Sequence, residues 1–314
     1  MSAIPAESGP AATADFTVAA SLGGWARLRS DRWAMAGGAV TVAFIIVAVF
    51  APQISALAGV NPYTFHINAL YSNGLPKGSF GGVSGSHLLG VEPSTGRDLF
   101  AIVVYGTRTS LFIGFSASLL AGLIGTTIGL LAGFTGGAVD MGLSRFTDLM
   151  IAFPQLIFMI ALQALVPSSF PRELFMIGVI AVFGWFSMAR VVRAQTLTLR
   201  NRAFVMAAEA VGAPAWHIVR REILPNLLST ITVIATMTVP VAIGTEAALS
   251  FLGIGVQAPT PSWGREIASA IDWVSVDPYY LLAPGLALFL VTLSLNTFGD
   301  GLRDAFDPRG GGRR

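Results

Sequence analysis

The stretch FVMAAEAVGAPAWHIVRREILPN, Phe204 to Asn226, carries charge of both signs, yet it lies between two of the most apolar runs in the chain. A connection between packed helices closes in a few residues; here roughly thirty intervene, patterned as helix, glycine, helix and rich in arginine. Asn201 fits an N-cap, and Arg202–Val211 holds no breaker for about three turns, ~15 Å of helix. Gly212 stands where a helix ends in a left-handed residue. Pro214 suits the first turn of a second short helix and Pro225 bounds its end. On that helix Trp216, Val219 and Ile223 share one face at i, i+3 and i+7, with His217, Arg220 and Arg221 elsewhere around it. The pattern allows two readings: an amphipathic helix lying on a membrane surface, or a docking surface for a soluble partner.

The flanking composition makes the solvent clear. Hydrophobic residues are 54% of the chain and charged residues 11%, against about 25% charged in soluble domains. So few charges cannot cover a water-exposed surface, so lipid is the solvent for much of the chain. There is no cysteine, hence no disulfide framework, thiolate metal site or cysteine nucleophile. Lys77 is the only lysine and follows Pro76, so the P-loop pattern does not occur and the chain does not hydrolyse ATP by that route.

After an Ala-, Ser- and Pro-rich stretch at 1–24, read as a disordered tail, Arg27, Arg29 and Arg32 precede an apolar run, Ala34–Ala51, long enough for one span. That run is longer than a signal-peptide core and its basic cluster lies far from Met1, which favours an uncleaved anchor despite the small-residue triplet Ala56–Ala58. Five further spans are expected near Ser110–Phe134, Leu149–Val166, Leu174–Val192, Leu228–Ser250 and Tyr280–Phe298. With the N-terminus inside, fourteen of the nineteen Lys and Arg residues fall on the cytoplasmic side, so both termini and the Phe204–Asn226 loop are expected there. In the second span Gly125, Gly129 and Gly133 recur every fourth residue, as do Gly114, Ser118 and Gly122, a spacing that lets helices approach closely.

Few residues carry candidate chemistry. Glu246 lies near the end of the fifth span, either lining a translocation path or holding a structural hydrogen bond at a helix break. Asp148 is expected to pair with Arg145 at i, i+3. Trp263, Trp273, Tyr279 and Tyr280 read as an interfacial aromatic belt or as contacts for an external protein. His66, His87 and His217 are too scattered in sequence for a metal cluster. The G-x-S-G match at Gly82–Gly85 resembles an intramembrane protease motif, but Ser84 sits in a Gly/Ser-rich loop and no His falls within an expected span.

The segment AAEAVGAPAWHIVRREILPN resembles the EAA loop of ABC-importer permeases, matching at Ala207, Ala208, Gly212, Ile218, Leu224 and Pro225, with Met206 where the motif usually has Glu. The resemblance implies that Ala213, Trp216, His217 and Arg221 join these as ATPase-docking residues. From about residue 25 to Arg309 the chain is similar to the C-type permeases of oligopeptide, dipeptide and nickel importers. LLGVEPSTGRDLFAIVVYGTRTSL resembles their outer motif, with Val91-Glu92 for Thr-Asp, one residue inserted before Gly96 and Ala101-Ile102 for Ser-Arg. GGAVDMGLSRFTDLMIAFP, ALSFLGIGVQAPTPSWG and NTFGDGLRDAFDPR match further segments in order.

The expectation is therefore an all-α, six-span permease of the plasma (inner) membrane. A first helix and extracytoplasmic loop occupy 25–108, the transmembrane domain 109–300 with its EAA loop at 201–226, and a cytoplasmic tail 301–314. The resemblance implies half of an ATP-driven importer, completed by a B-type permease, one or two P-loop ATPases and an extracytoplasmic binding protein that delivers peptide or another small solute. It implies no catalysis, cofactor or nucleic-acid partner for this chain, with ATP and Mg bound by the ATPase. An ATP-independent secondary transporter is the alternative.

Overall fold

The computed structural model describes residues 25–167 and 169–306; the expected disordered tail at 1–24 and the segment 307–314 lie outside them. The helices are α1 (Arg32–Val49), α2 (Ala51–Leu57), α3 (Leu99–Thr135), α4 (Gly137–Ala152), α5 (Gln155–Leu165) and α6 (Arg172–Arg200). Then follow α7 (Ala203–Ala210), α8 (Ala215–Ile218), α9 (Leu224–Phe251), α10 (Trp263–Ile271) and α11 (Pro278–Phe306). A π turn, Val219–Ile223, joins α8 to α9. Among the described residues the only β pairing is two isolated bridges, Leu70–Pro76 and Val91–Asp98. The 58–98 segment and α10 form one end of the bundle, the loop end; α7 and α8 form an elbow at the other.

Among the described residues five helices are long and apolar enough to cross a membrane, and α4 with α5 supplies a sixth as a pair bent by 83°. The continuous span expected at Leu149–Val166 is thus broken. Pro154 disfavours a helical conformation at Phe153 and has no N–H to donate; Phe153 turns extended, at φ −72° and ψ 137°. The second span is longer than its apolar core. At 37 residues α3 runs ~55 Å, well beyond the ~30 Å hydrocarbon core. Its first turns, with Leu99, Ala101 and Ile102 buried, pack within protein rather than lipid. Asp98 caps it by accepting from the Ala101 N–H at 2.8 Å.

The bundle is organised by the close approach of α3 to α6. A Cβ built on Gly125 would stand 2.5 Å from the Trp185 carbonyl oxygen, one on Gly129 2.6 Å from that of Ala189, and one on Gly133 2.7 Å from Thr196 Cβ. The row advances four residues on each helix, so backbone meets backbone over two turns. A second face of α3 packs on α9: a Cβ on Gly114 would meet Ile243 Cγ1 at 2.3 Å, and Ser118 Oγ donates to the Ala235 carbonyl at 3.2 Å. Around this contact lies an apolar core with Ile113, Ala117, Phe183, Trp185 and Phe186 buried.

Burial along α9 is uneven. From 239 to 250, Val239, Pro240, Ala242, Ile243, Glu246, Ala247, Leu249 and Ser250 are buried, whereas Leu227 is the one buried residue before them. α11 extends to Phe306, so residues 301–306 of the expected tail are helical. Leu302 and Ala305 pack on Leu28 and Ala34, and Gly301 leaves room for Ala34, whose Cβ would be 2.2 Å from an added one.

Gly129→Leu should destabilise the purified chain by roughly 1–3 kcal/mol through overpacking, read as a lower thermal midpoint in detergent. Gly178→Ala, where an added Cβ meets nothing within 4 Å, should leave the midpoint unchanged or raise it.

Candidate functional site

The elbow begins where α6 ends. Asn201, expected as an N-cap, instead closes α6, its side-chain amide donating to the Leu197 carbonyl at 3.2 Å, and Arg202 takes the N-cap position of α7. At the turn, Gly212 sits at φ +81° with open space around its Cβ position, so glycine serves the backbone angle rather than packing. The Ala213 N–H bonds to the Ala208 carbonyl at 3.0 Å and that of Gly212 to Glu209 at 2.9 Å, the nested pair that closes a helix C-terminus.

The π turn sets which residues face in. Ile218, Ile223 and Leu227 are buried with Val205, Met188 and Val192. In an uninterrupted α-helix the residue after Ile218 on that face would be Glu222; the five-residue step puts Ile223 there instead. Pro225, which donates no N–H, lies at the start of α9 where the ladder changes. The single apolar face expected from Trp216, Val219 and Ile223 therefore does not form: Ile223 is fully buried while Trp216 is 70% exposed.

All ten docking candidates lie on this one elbow. Ala207, Gly212, Trp216, His217, Arg221 and Pro225 are exposed, Ala208, Ala213 and Leu224 are half-buried, and Ile218 anchors the unit from within. The Arg220 guanidinium lies 6.0 Å over the Trp216 ring, and Trp216, His217, Arg220 and Arg221 bound a shallow hollow of about 380 Å³. Nearby, Arg193 on α6 makes a two-pronged ion pair with Asp140 on α4, and Arg190 donates to Asp148 at 3.0 Å. Asp148 thus pairs across helices with Arg190, in place of the expected Arg145. Both partners are more than half exposed, so the pair adds little stability.

Glu246 is fully buried. Ser110 of α3 donates to it at 2.8 Å, Ser250 at 2.8 Å, and Ser262, which caps α10, at 2.9 Å. Its carboxyl group ties three elements together and is closed off from open space; Ser250 lies one turn along the same helix, but Ser110 and Ser262 come from distant sequence positions, which no local pattern announces. Trp263 and Tyr280 are likewise buried rather than part of a surface belt. The Trp263 indole N–H donates to the Val103 carbonyl at 3.1 Å in the space left by Gly106.

A second buried cluster at the loop end joins Tyr280 to Glu92, Arg97 and Glu266, an ion-pair set that the sequence did not announce. Arg97 donates through Nε to Glu92 at 2.6 Å and through Nη2 at 2.9 Å, and its Nη2 lies 3.5 Å from Glu266. Burial pushes the Glu92 carboxyl up, but hydrogen bonds and charge from Arg97 outweigh this and hold it below the usual value. Burial, reinforced by the Glu92 charge, leaves the Glu266 carboxyl raised. The Tyr280 hydroxyl lies 2.9 Å from a carboxylate oxygen of each. A phenol has one proton to give, so the arrangement is satisfied when protonated Glu266 donates to Tyr280 and Tyr280 donates to ionised Glu92.

A multi-span helical bundle presenting an exposed helix–turn–helix is the form of a transporter's membrane subunit. Residues 125–310 match the model of the binding-protein-dependent transport system inner membrane component, and residues 23–73 match that of the N-terminal TM domain of oligopeptide transport permease C. The chain is 38% identical over 285 residues to the dipeptide transport system permease protein DppC of Alkalihalophilus pseudofirmus, covering 90% of this chain and 88% of that one. It is 37% identical to the oligopeptide permease protein OppC of Bacillus subtilis, covering 90% and 88%. To the glutathione permease protein GsiD of Pectobacterium atrosepticum it is 36% identical, covering 91% and 90%. In fold it is similar to a chain of the MetNI methionine ABC transporter in an inward-facing conformation, with a TM-score of 0.53 at 19% identity, over 65% of this chain and 96% of that one. The chain belongs to the family of binding-protein-dependent transport system inner-membrane components, as a multi-pass permease subunit of an ABC importer rather than an enzyme. Membership sets aside the ATP-independent secondary transporter.

The loop-end cluster predicts a two-sided pH response. The raised Glu266 contributes stability that is lost as pH rises through its folded pKa; the lowered Glu92 contributes stability that is lost as pH falls through its own. Glu266→Gln, which keeps a donor for Tyr280, should flatten the alkaline limb of a thermal-midpoint profile, while Arg97→Leu should cost roughly 3–5 kcal/mol at neutral pH.

Proposed function

We propose that this permease imports peptides or a solute of similar size, handed to it by a binding protein on the loop-end side, with both termini and the elbow in the cytoplasm. Relatives of dipeptide, oligopeptide and glutathione systems support the solute class. The excess of arginine at the elbow end supports the orientation. Residues 25–108 act as an added first helix and external segment on a transmembrane domain at 109–300, a division supported by the separate matches at 23–73 and 125–310.

A B-type permease supplies the other half of the path, and one or two P-loop ATPases bind ATP and Mg and hydrolyse the nucleotide in trans. The observation that carries this reading is the exposed Trp216, a large apolar ring left open on an elbow whose other face is packed. Rigid-body motion of the ATPases would pass through Trp216, His217 and Arg221 into α9, because the π turn keeps the helix continuous. This chain's side of the path is the groove of about 980 Å³ between α4–α6, α9 and α11, where Arg190, Arg303 and several uncharged polar side chains, Gln155 and Gln195 among them, interrupt an apolar wall.

Mass spectrometry of the tagged chain purified from its own membranes should find a second permease and a P-loop ATPase in near-equal amounts. Trp216→Asp should cut the ATPase recovered at least ~tenfold while sparing the second permease. Recovery of the chain alone, or of ATPase undiminished by the substitution, would contradict the docking role. Gly212→Val should abolish uptake without affecting membrane insertion, because valine resists the left-handed conformation.

A further inference from the structure

A second groove, of about 660 Å³, opens toward the loop end between α1, α3 and the start of α6. Its wall is apolar in the deeper part, where Ile45 and Val49 of α1 face Phe112 and Phe115 of α3. Its rim is polar, formed by Tyr63, Tyr105, Arg108 and Glu173. The wall continues down α3: Phe112 is 55% exposed, Leu119 66% and Leu123 58%. With Arg108 these residues fall at i, i+4, i+11 and i+15, one stripe of a helix. Phe112 to Leu123 spans ~16 Å, about half the hydrocarbon thickness. The groove thus has the layout of one leaflet, a charged head over an apolar lane.

The rim carries one charge of each sign, and neither is satisfied by the other. Among the described residues, no ion pair within 4.0 Å involves Arg108 or Glu173. Both lie within electrostatic reach of Tyr63, whose phenol is raised by burial and by Tyr105, with Arg108 and Glu173 acting in opposite directions. At the border of hydrocarbon an unpaired charge is costly. A ligand that pays both debts must carry an anion and a cation in one head, above an apolar tail.

We propose that this groove holds one phospholipid with a primary ammonium head, a phosphatidylethanolamine. Its phosphate meets Arg108, its ammonium meets Glu173, and an acyl chain lies along Phe112, Phe115, Leu119 and Leu123. A primary ammonium donates hydrogen bonds to a carboxylate; the quaternary head of phosphatidylcholine has no N–H to give, and phosphatidylglycerol has no cation for Glu173. Bound there, the lipid would wedge α1 against α3 and fix the added first helix to the transmembrane domain.

The test uses the full chain purified with its partner subunits in mild detergent, washed with increasing detergent, and read by native mass spectrometry after exposure to defined lipids. The wild-type complex should keep one phosphatidylethanolamine per chain, preferred over phosphatidylglycerol and phosphatidylcholine by about tenfold. Arg108→Ala should lose retention of all three lipids. Glu173→Gln should keep a phospholipid but lose the preference, and both variants should match the wild type in thermal midpoint after complete delipidation, which separates lipid loss from misfolding. Equal retention of the three lipids by the wild type, or retention unchanged in both variants, would overturn the proposal. So would cross-linking of Phe112→Cys to a neighbouring subunit, because the groove would then be a protein interface; the chain has no other cysteine to confuse the result.

Discussion

The backbone contact between α3 and α6 is the constraint on which the rest of the structure depends. Gly125, Gly129 and Gly133 bring the two helices together until carbonyl oxygens of α6 fill the positions where side chains would stand. In hydrocarbon, where apolar side chains gain nothing by leaving lipid for protein, such close packing is what holds helices together. The register it fixes carries outward in both directions. At one end α6 brings Met188 and Val192 to the elbow, where they pack on Ile218 and Ile223. At the other, α3 holds Ser110 where Glu246 can use it.

Two groups of buried polar side chains in this bundle form closed sets. Glu246 has three hydroxyl donors, and Arg97 lies between two carboxylates that share a phenol. A lone carboxylate at these depths would be strongly destabilising, and a set with one member missing nearly as much. Each set also joins segments far apart in sequence, so it confers registry: α10 can seat only where Ser262 reaches Glu246 and Glu266 reaches Arg97. The loop end is thereby cross-braced, while the elbow end relies on a small apolar cluster, a half-buried ion pair at Arg193 and an exposed one at Arg190.

Much of this was legible in the sequence where the signal is local. Apolar run lengths located the spans, the four-residue glycine spacing announced the α3 contact, and Gly212 marked the elbow's left-handed turn. What escaped has a common cause: it depends on partners brought together only by folding, or on a change of helical phase. The break at Phe153–Pro154 was visible as a proline but hidden within an unbroken apolar run. The π turn moved Trp216 and Ile223 to opposite sides of a helix that a constant 3.6-residue period assigns to one face. Tyr280 and Trp263 looked interfacial because their type is common at membrane surfaces, whereas each had found a buried acceptor.

The uneven burial of α9 has a mechanical consequence. Pro240 withholds the hydrogen bond that would stiffen the helix beside it, and it stands at the boundary between a clamped half and a half with a single buried residue. From Trp216 to this point the helical rod measures ~36 Å. A swing of ~5° about Pro240 would move the elbow by ~3 Å, about the radius of a small side chain, while displacing residues next to the proline hardly at all. The far half of α9 can remain still while the near half rocks. The geometry is that of a lever with its fulcrum two-thirds of the way along, so that displacement grows with distance from Pro240.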